Sequence, residues 1–307
     1  MLTEKPWRLE AIIRLLAGLV MCSFLGSLTL VWLRFNPETA TSTPLVFYSL
    51  ASAAAAAFLI ALGLVIRPWQ LEQFKWRGLM LLVCAYAGLA LTGLAQRGTG
   101  VTGGQMTVLG MAVNALSFQG AGILLIWMFV RQHGLGLREG FGLDQGTRHA
   151  LLLGATAALA FMPVALGLQY GIAMIAQWLK IDLPVQSAVF ILRLADSWTD
   201  RIALGVVAVV LAPLAEEGLF RGIFYPAVKR LGYPQLALWG TSLVFALIHF
   251  NVLIFIPLLV LAVVLAKLYE KTGNLLACIA CHATFNLFNF IMLFVASEFG
   301  RTLPAQQ

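Results

Sequence analysis

Charged residues are scarce in this sequence. They make up 11% of its 307 residues, whereas hydrophobic residues make up 61%, and the mean hydropathy is +0.90. A chain of this composition has too little polar surface to cover a soluble globule. The composition therefore excludes a soluble globular protein and places the chain in a lipid bilayer.

Cysteine is also rare, which excludes a disulfide framework. All four cysteines lie within apolar runs, where they are expected to behave as small buried residues: Cys22, Cys84, Cys278 and Cys281. The net charge of +7 would suit a nucleic-acid partner. In a membrane protein, however, a basic excess usually reflects loops held on the cytoplasmic side, so we predict no nucleic-acid partner.

Long apolar runs dominate the sequence. A spanning helix needs about 20 apolar residues. On this criterion the sequence predicts an all-α, polytopic integral membrane bundle with about 8–9 transmembrane helices. Pro163 lies in the long fifth run and could kink or break it. The nine candidate spans are approximately 10–33, 45–66, 78–96, 106–130, 149–178, 203–228, 234–252, 254–271 and 275–297.

The lysines and arginines of the loops predict the orientation. With the N-terminus inside, the inner loops carry twelve of these residues and the outer loops six. This bias favours a cytoplasmic N-terminus and an outer C-terminus. No small-residue cleavage site follows the first apolar run, so we interpret that run as a spanning helix. The compact loops permit a bacterial source, and we predict an integral protein of the bacterial cytoplasmic membrane.

The polar stretch 131–148 predicts a linker between two units, because it combines several glycines with several charges. The predicted domains are an N-terminal four-helix transmembrane unit, 1–135, of unknown role, and a core at 149–297. A second polar stretch, 180–201, mixes charge with apolar residues and could form an amphipathic surface helix.

Two adjacent glutamates interrupt the sixth apolar run. Carboxylates inside a bilayer cost several kcal/mol unless they are paired or wetted, so Glu216 and Glu217 indicate a functional site, with a purely structural salt bridge as the alternative. Glu217 and Arg221 share a helix face and can form an ion pair. Glu216 points about 100° away from Glu217, which leaves it free for a proton. Pro213, just upstream, removes a backbone hydrogen bond and could open the helix to water or substrate.

Two further polar pairs occur on later apolar helices. Phe245 and His249 are four residues apart, as are His282 and Asn286. Neither pair is specific alone. At about 1.5 Å of rise per helical residue, both histidines and the glutamates fall in the middle zone of the bilayer. The sequence therefore predicts that three helices deliver these side chains to one site.

The segment from Cys278 to His282 matches C-x-x-C-H, a pattern for covalent haem attachment. We reject haem because the segment lies within an apolar helix. A zinc or redox role for the two cysteines is also disfavoured, because no second pair of cysteines completes a site.

The ordered motifs Glu216-Glu217-x-x-x-Arg221, Phe245-x-x-x-His249 and His282-x-x-x-Asn286 resemble the CPBP family of intramembrane proteases. That family includes the type II CaaX prenyl endopeptidases and the bacteriocin-processing, Abi-like proteins of bacteria. All three motifs match without a substitution. The resemblance covers about residues 149–297 and leaves the first four spans unexplained.

The resemblance implies a role for each residue. Glu216, assisted by His249, would activate water, and His282 with Asn286 would stabilise the oxyanion. Glu217 and Arg221, with Phe245 in support, would hold the site in shape. We favour this mechanism without a metal or other cofactor. Zinc bound by two histidines and one carboxylate is the alternative, and its ligands would be Glu216, His249 and His282.

The leading hypothesis is thus an intramembrane endopeptidase that cuts a peptide or membrane protein entering from the inner side. A transporter in which the carboxylates relay protons is the first alternative. An immunity or scaffold protein, in which the polar cluster only fixes structure, is the second. The natural substrate and the oligomeric state are left open by the sequence.

Overall fold

The computed structural model describes residues 5–20, 22, 119–144, 146–181, 192, 198–249 and 251–302, with side chains up to residue 296. The chain divides into two compact units. One is Trp7–His133, and the other joins Met1–Pro6 to Gly134–Gln307. All the predicted site residues lie in the second unit, which is called the core unit below. The division at His133 falls within the predicted linker 131–148.

Helices account for all the regular structure of the described residues, in agreement with the predicted all-α class. The first unit contains α1 (9–20) and α2 (Ala121–Gln132). The core unit contains the remaining six helices: α3 (Leu137–Phe141), α4 (Thr147–Trp178), α5 (Trp198–Arg230), α6 (Leu236–Leu247), α7 (Val252–Thr272) and α8 (Leu275–Thr302).

Four of these helices are long and apolar enough to cross a membrane: α4, α5, α7 and α8 as far as Ala296. They correspond to the predicted spans 149–178, 203–228, 254–271 and 275–297. Pro163 lies within α4, which nevertheless remains one helix of 32 residues. The predicted spans 45–66 and 78–96 lie outside the described residues, and so do about half of 10–33, about half of 106–130 and most of the surface helix at 180–201. The predicted total of 8–9 spans therefore stays a prediction.

The predicted span 234–252 is too long. Helix α6 ends at Leu247, and the chain then turns before α7 begins at Val252. The reason is a local cap: the Asn251 side chain accepts hydrogen bonds from the N–H groups of Leu253 (3.0 Å) and Ile254 (3.4 Å). His249 therefore lies in the turn between α6 and α7, and not on a continuous helix as predicted.

Close packing of α4 on α8 brings the last helix into the core. A Cβ atom placed on Gly154 would lie 2.2 Å from the carbonyl oxygen of Ala277, so only glycine permits this approach. Farther along the same pair of helices, the rings of Phe161 and Phe285 are 6.0 Å apart. Small residues at a helix contact are typical of membrane bundles, where they let the backbones pack closely.

An ion cluster joins the ends of α5 and α7. Glu270 pairs with Lys229 of α5 through one carboxylate oxygen and with Lys267, at 2.9 Å, through the other. The loop after α7 is equally fixed, because Gly273 adopts a left-handed conformation (φ +63°) and the Asn274 side chain accepts from the N–H of Leu276. These contacts help to set the relative positions of α5, α7 and α8, three of the helices that pack around the site.

Candidate active site

The helix that carries the two glutamates is not a uniform α-helix. It contains two π-helical segments, Val207–Leu211 and Phe220–Phe224, and each is followed by an α-helical segment with proline at its first or second position. Those prolines are Pro213 and Pro226. A proline ring clashes with the carbonyl four residues before it in an α-helix, and the wider π turn relieves that clash. Single π turns within α-helices occur frequently at functional sites.

Glu217 is the centre of the site. Its side chain is fully buried, and its Oε1 atom accepts hydrogen bonds from Arg221, at 3.0 Å, and from Nδ1 of His282, at 2.8 Å. The ion pair that the spacing of four residues predicted is therefore present. His282 comes from α8, so this carboxylate ties two helices together.

Arg221 compensates the buried negative charge. Its guanidinium donates to Glu217 and, through Nη2, to the carbonyl of Ala262 on α7 at 3.1 Å. It also lies 4.6 Å from the centre of the Phe245 ring, within cation–π distance. Only 1% of Arg221 is exposed. A buried ion pair is favourable only when its remaining hydrogen-bonding groups are satisfied, and these contacts meet much of that requirement.

Glu216 faces the other side of His282. Its Oε2 atom lies 3.9 Å from Nε2 of His282, which is longer than a hydrogen bond, and that oxygen is buried without a hydrogen-bond partner. The side chain as a whole is 13% exposed, whereas that of Glu217 is fully buried. Because Nδ1 of His282 donates to the carboxylate of Glu217, the neutral imidazole presents the lone pair of Nε2 toward Glu216.

Phe245 is fully buried between the two histidines. Its ring centre is 5.0 Å from the ring of His249 and 5.7 Å from that of His282. His249 is half-buried, and its Nδ1 atom lies 2.7 Å from the carbonyl oxygen of Phe245. Because a carbonyl can only accept, Nδ1 carries the proton, and Nε2 is the acceptor in the neutral ring.

The resemblance pairs Glu216 with His249, and the geometry differs from that pairing. Among the described residues, no hydrogen bond and no ion pair within 4.0 Å joins Glu216 to His249. The histidine within this distance of Glu216 is His282. Asn286 also differs from the simplest expectation, because its Nδ2 atom donates to the carbonyl of Ala208 at 2.8 Å.

The predicted zinc alternative requires three donors that converge on one point. In the part of the chain that the structure describes, no group of three or more His, Cys, Asp or Glu residues is arranged to hold a metal ion. The proposed ligands Glu216, His249 and His282 thus do not form a metal site in this arrangement. Cys278 and Cys281 are fully buried, and the Cys278 thiol donates to the Leu265 carbonyl at 3.2 Å.

Sequence reasoning missed the backbone groups of the site. The carbonyls of Ala208 and Ala262 accept from Asn286 and Arg221, and an alanine carbonyl leaves no mark in a sequence pattern. The π turns were missed as well, although Pro213 and Pro226 in an otherwise apolar helix were a usable signal. Pro213 indicates that a carbonyl in the preceding turn lacks a backbone donor, but the pattern does not show which carbonyl that is or which side chain pairs with it.

These features define a class before any comparison: an integral membrane protein with a buried carboxylate, arginine and histidine network held by apolar helices. Residues 198–288 match the family described as type II CAAX prenyl endopeptidase Rce1-like. The match includes all seven predicted site residues and confirms the resemblance to the CPBP family. None of the curated proteins and none of the solved structures compared with the chain matches it. The matched region resembles that of a CAAX-type membrane protease family and covers less than a third of the chain.

Proposed function

We propose that the protein is an intramembrane endopeptidase in which Glu216 activates the attacking water. The observation that carries this proposal is the contrast between the two neighbouring carboxylates. Glu217 is fully buried and is bonded through Oε1 to Arg221 and His282, whereas Glu216 is 13% exposed and its Oε2, which has no hydrogen-bond partner, lies 3.9 Å from an imidazole nitrogen. A general base needs a carboxylate that is accessible and not already bonded, and Glu216 meets this requirement better than Glu217.

The charges of the cluster indicate how protons are distributed. Arg221 offsets the charge of Glu217, which leaves Glu216 and His282 to hold one proton between them in a neutral cluster. A neutral cluster is favoured within a bilayer because an uncompensated charge is costly there. When that proton is on His282, the imidazolium donates to Glu217 through Nδ1 and presents an N–H at Nε2.

This arrangement supports the following course of hydrolysis. The water oxygen forms a bond to the scissile carbonyl carbon while its proton passes to Glu216. The oxyanion is stabilised by the Nε2–H group of protonated His282. Glu216 then returns its proton to the leaving nitrogen as the carbon–nitrogen bond breaks, which releases an amine and a carboxylic acid. His249, whose Nε2 is an acceptor, assists by holding the second hydrogen of the water.

The substrate class follows from where the site lies. The glutamates are on a candidate membrane span, so the scissile bond must reach a site enclosed by apolar helices. We therefore propose as substrate a peptide or membrane-protein segment that reaches the site from the inner side of the bilayer. The description of the matched family names type II CAAX prenyl endopeptidases. A prenylated C-terminal peptide is accordingly one candidate to assay beside unmodified membrane peptides.

The proposal is tested by comparing membrane-protein termini in cells that express the wild type or Glu216→Gln. We expect a set of new termini that depends on Glu216, and peptides spanning those termini should be cleaved by the purified enzyme in lipid vesicles. Glu139→Gln is a matched control because Glu139 is an exposed carboxylate outside the matched region. Termini that are identical in the wild type and Glu216→Gln would overturn the proposal.

One specific observation also supports the transporter hypothesis. Buried carboxylate oxygens without partners, Oε2 of both Glu216 and Glu217, also suit a group that takes up and releases protons. Proton flux in vesicles that requires Glu217 and His249, without any peptide product, would favour that function over hydrolysis.

A further inference from the structure

The first π turn of α5 leaves one backbone carbonyl without its helical donors. In an α-helix the carbonyl of Ala208 would accept from the N–H of Ala212, and in a π-helix from that of residue 213. Here the N–H of Ala212 donates to the carbonyl of Val207. Residue 213 is a proline, which has no N–H. Neither donor is therefore available to Ala208.

A side chain from another helix supplies the missing donor. Nδ2 of Asn286, on α8, lies 2.8 Å from the Ala208 carbonyl oxygen. A carbonyl can only accept, so the amide must present its N–H groups here. An unpaired carbonyl within an apolar bundle costs free energy comparable to a lost hydrogen bond, and Asn286 removes that cost.

Among the described residues, this bond adds to another hydrogen bond between α5 and α8. The first joins Glu217 to His282, and the second joins Ala208 to Asn286. His282 and Asn286 are one turn apart on α8 and lie on the same face. The two links lie at different positions along each helix. Together they limit how far α5 can rotate or slide relative to α8. The orientation of Glu216 toward His282 depends on both motions.

We propose that Asn286 is a positioning residue that replaces the backbone donor lost at Pro213, and thereby holds Glu216 in register with His282. For its effect on catalysis, this inference rests on the proposed peptidase function. It differs from the role that the family resemblance implies, in which Asn286 itself contacts the oxyanion. The two roles predict different responses when residue 213 regains its N–H group.

The test is a double-mutant cycle of Pro213→Ala and Asn286→Ala in the full-length protein in lipid vesicles. With alanine at 213, the backbone can pair the Ala208 carbonyl in either an α or a π turn. We expect Asn286→Ala to lower kcat about tenfold or more in the wild-type background, and several-fold less in the Pro213→Ala background, with KM little changed in both. If Asn286 were instead a donor to the oxyanion, Asn286→Ala would lower kcat by the same factor in both backgrounds. That result would overturn the inference.

The same cycle is measured on the unfolding midpoint in detergent, which needs no peptidase activity. We expect Asn286→Ala to lower the midpoint less when Pro213 has been replaced. Coupling in unfolding without any cleavage by the wild type would contradict the proposed function while confirming the link. If the two substitutions changed the unfolding midpoint additively, the result would contradict the link between Ala208 and Asn286 itself.

If Pro213→Ala does not yield a folded protein, the carbonyl ¹³C resonance of Ala208 decides the question without substrate. Asn286→Leu keeps the approximate size of the side chain but has no hydrogen-bond donor. A displaced resonance in the folded Asn286→Leu protein confirms the bond, and an unchanged resonance overturns it.

Discussion

Two parts of the site are built differently. Glu217, Arg221 and His282, called the frame here, are 0–3% exposed, and their bonds connect α5 to α7 and α8. Glu216 and His249, called the edge, are partly accessible, and the hydrogen bond of His249 is to the carbonyl of Phe245, four residues earlier in the chain. The frame is therefore part of the packing of the bundle, whereas the edge is the more exposed part of the site. Substitutions in the frame should therefore lower the free energy of unfolding, and substitutions at the edge should lower the rate of cleavage.

The largest expected effect comes from removing the cation of the frame. Arg221→Met keeps much of the apolar length of the side chain but leaves the Glu217 carboxylate buried without its charge partner. Breaking one member of a buried ion pair typically costs about 3–5 kcal/mol. We expect a loss of this size in the free energy of unfolding, measured by denaturing-detergent titration, together with loss of cleavage.

The control for this change is Lys271→Met, which removes an exposed cation at the end of α7. Surface substitutions usually change stability by less than about 0.5 kcal/mol. If Arg221→Met destabilised the protein no more than Lys271→Met, the frame would not be a structural element of the bundle.

A smaller effect should separate the two histidines. His282→Gln removes the imidazole that is hydrogen-bonded to the Glu217 carboxylate, and a hydrogen bond to a charged group contributes about 1.5–3 kcal/mol. His249→Gln affects a half-buried residue in a turn, so we expect a stability change of less than about 1 kcal/mol. Cleavage should fall in both variants, per folded molecule. Equal destabilisation by the two substitutions, measured in the same detergent, would remove the distinction between frame and edge.

The smallest expected effect is that of metal removal. The mechanism proposed above takes its base and its oxyanion donor from protein side chains, so we expect purified protein treated with a strong chelator to retain its rate of cleavage. Loss of activity on chelation, with recovery on adding zinc, would instead assign Glu216 at the edge to metal binding and reverse the preference stated from the sequence.

The sequence predicted the frame better than the edge. The ion pair of Glu217 with Arg221 depends only on a helix and a spacing of four residues, so the local pattern was sufficient. The presence of His282 near the glutamates followed from three apolar helices of similar depth. These features are local, or they depend only on the thickness of the bilayer.

The partners of the individual groups could not be predicted in the same way. Which histidine lies within 4 Å of Glu216 depends on how α5, α6 and α8 rotate against one another, and packing sets those rotations. The end of α6 at Leu247 lies within an apolar run without glycine or proline, so the pattern did not show it. Asn251, a good cap residue before an apolar run, was the available signal for the start of α7.

The central claim is that Glu216 is the base of a peptide-bond hydrolysis within the membrane. The most direct measurement is the rate of product formation from a membrane peptide by purified wild type and Glu216→Gln in lipid vesicles, with unfolding followed in parallel. General-base catalysis contributes about 10²–10⁴-fold, so we expect Glu216→Gln to lose activity by at least about 10²-fold while remaining as stable as the wild type. Cleavage at the wild-type rate by folded Glu216→Gln would contradict the claim.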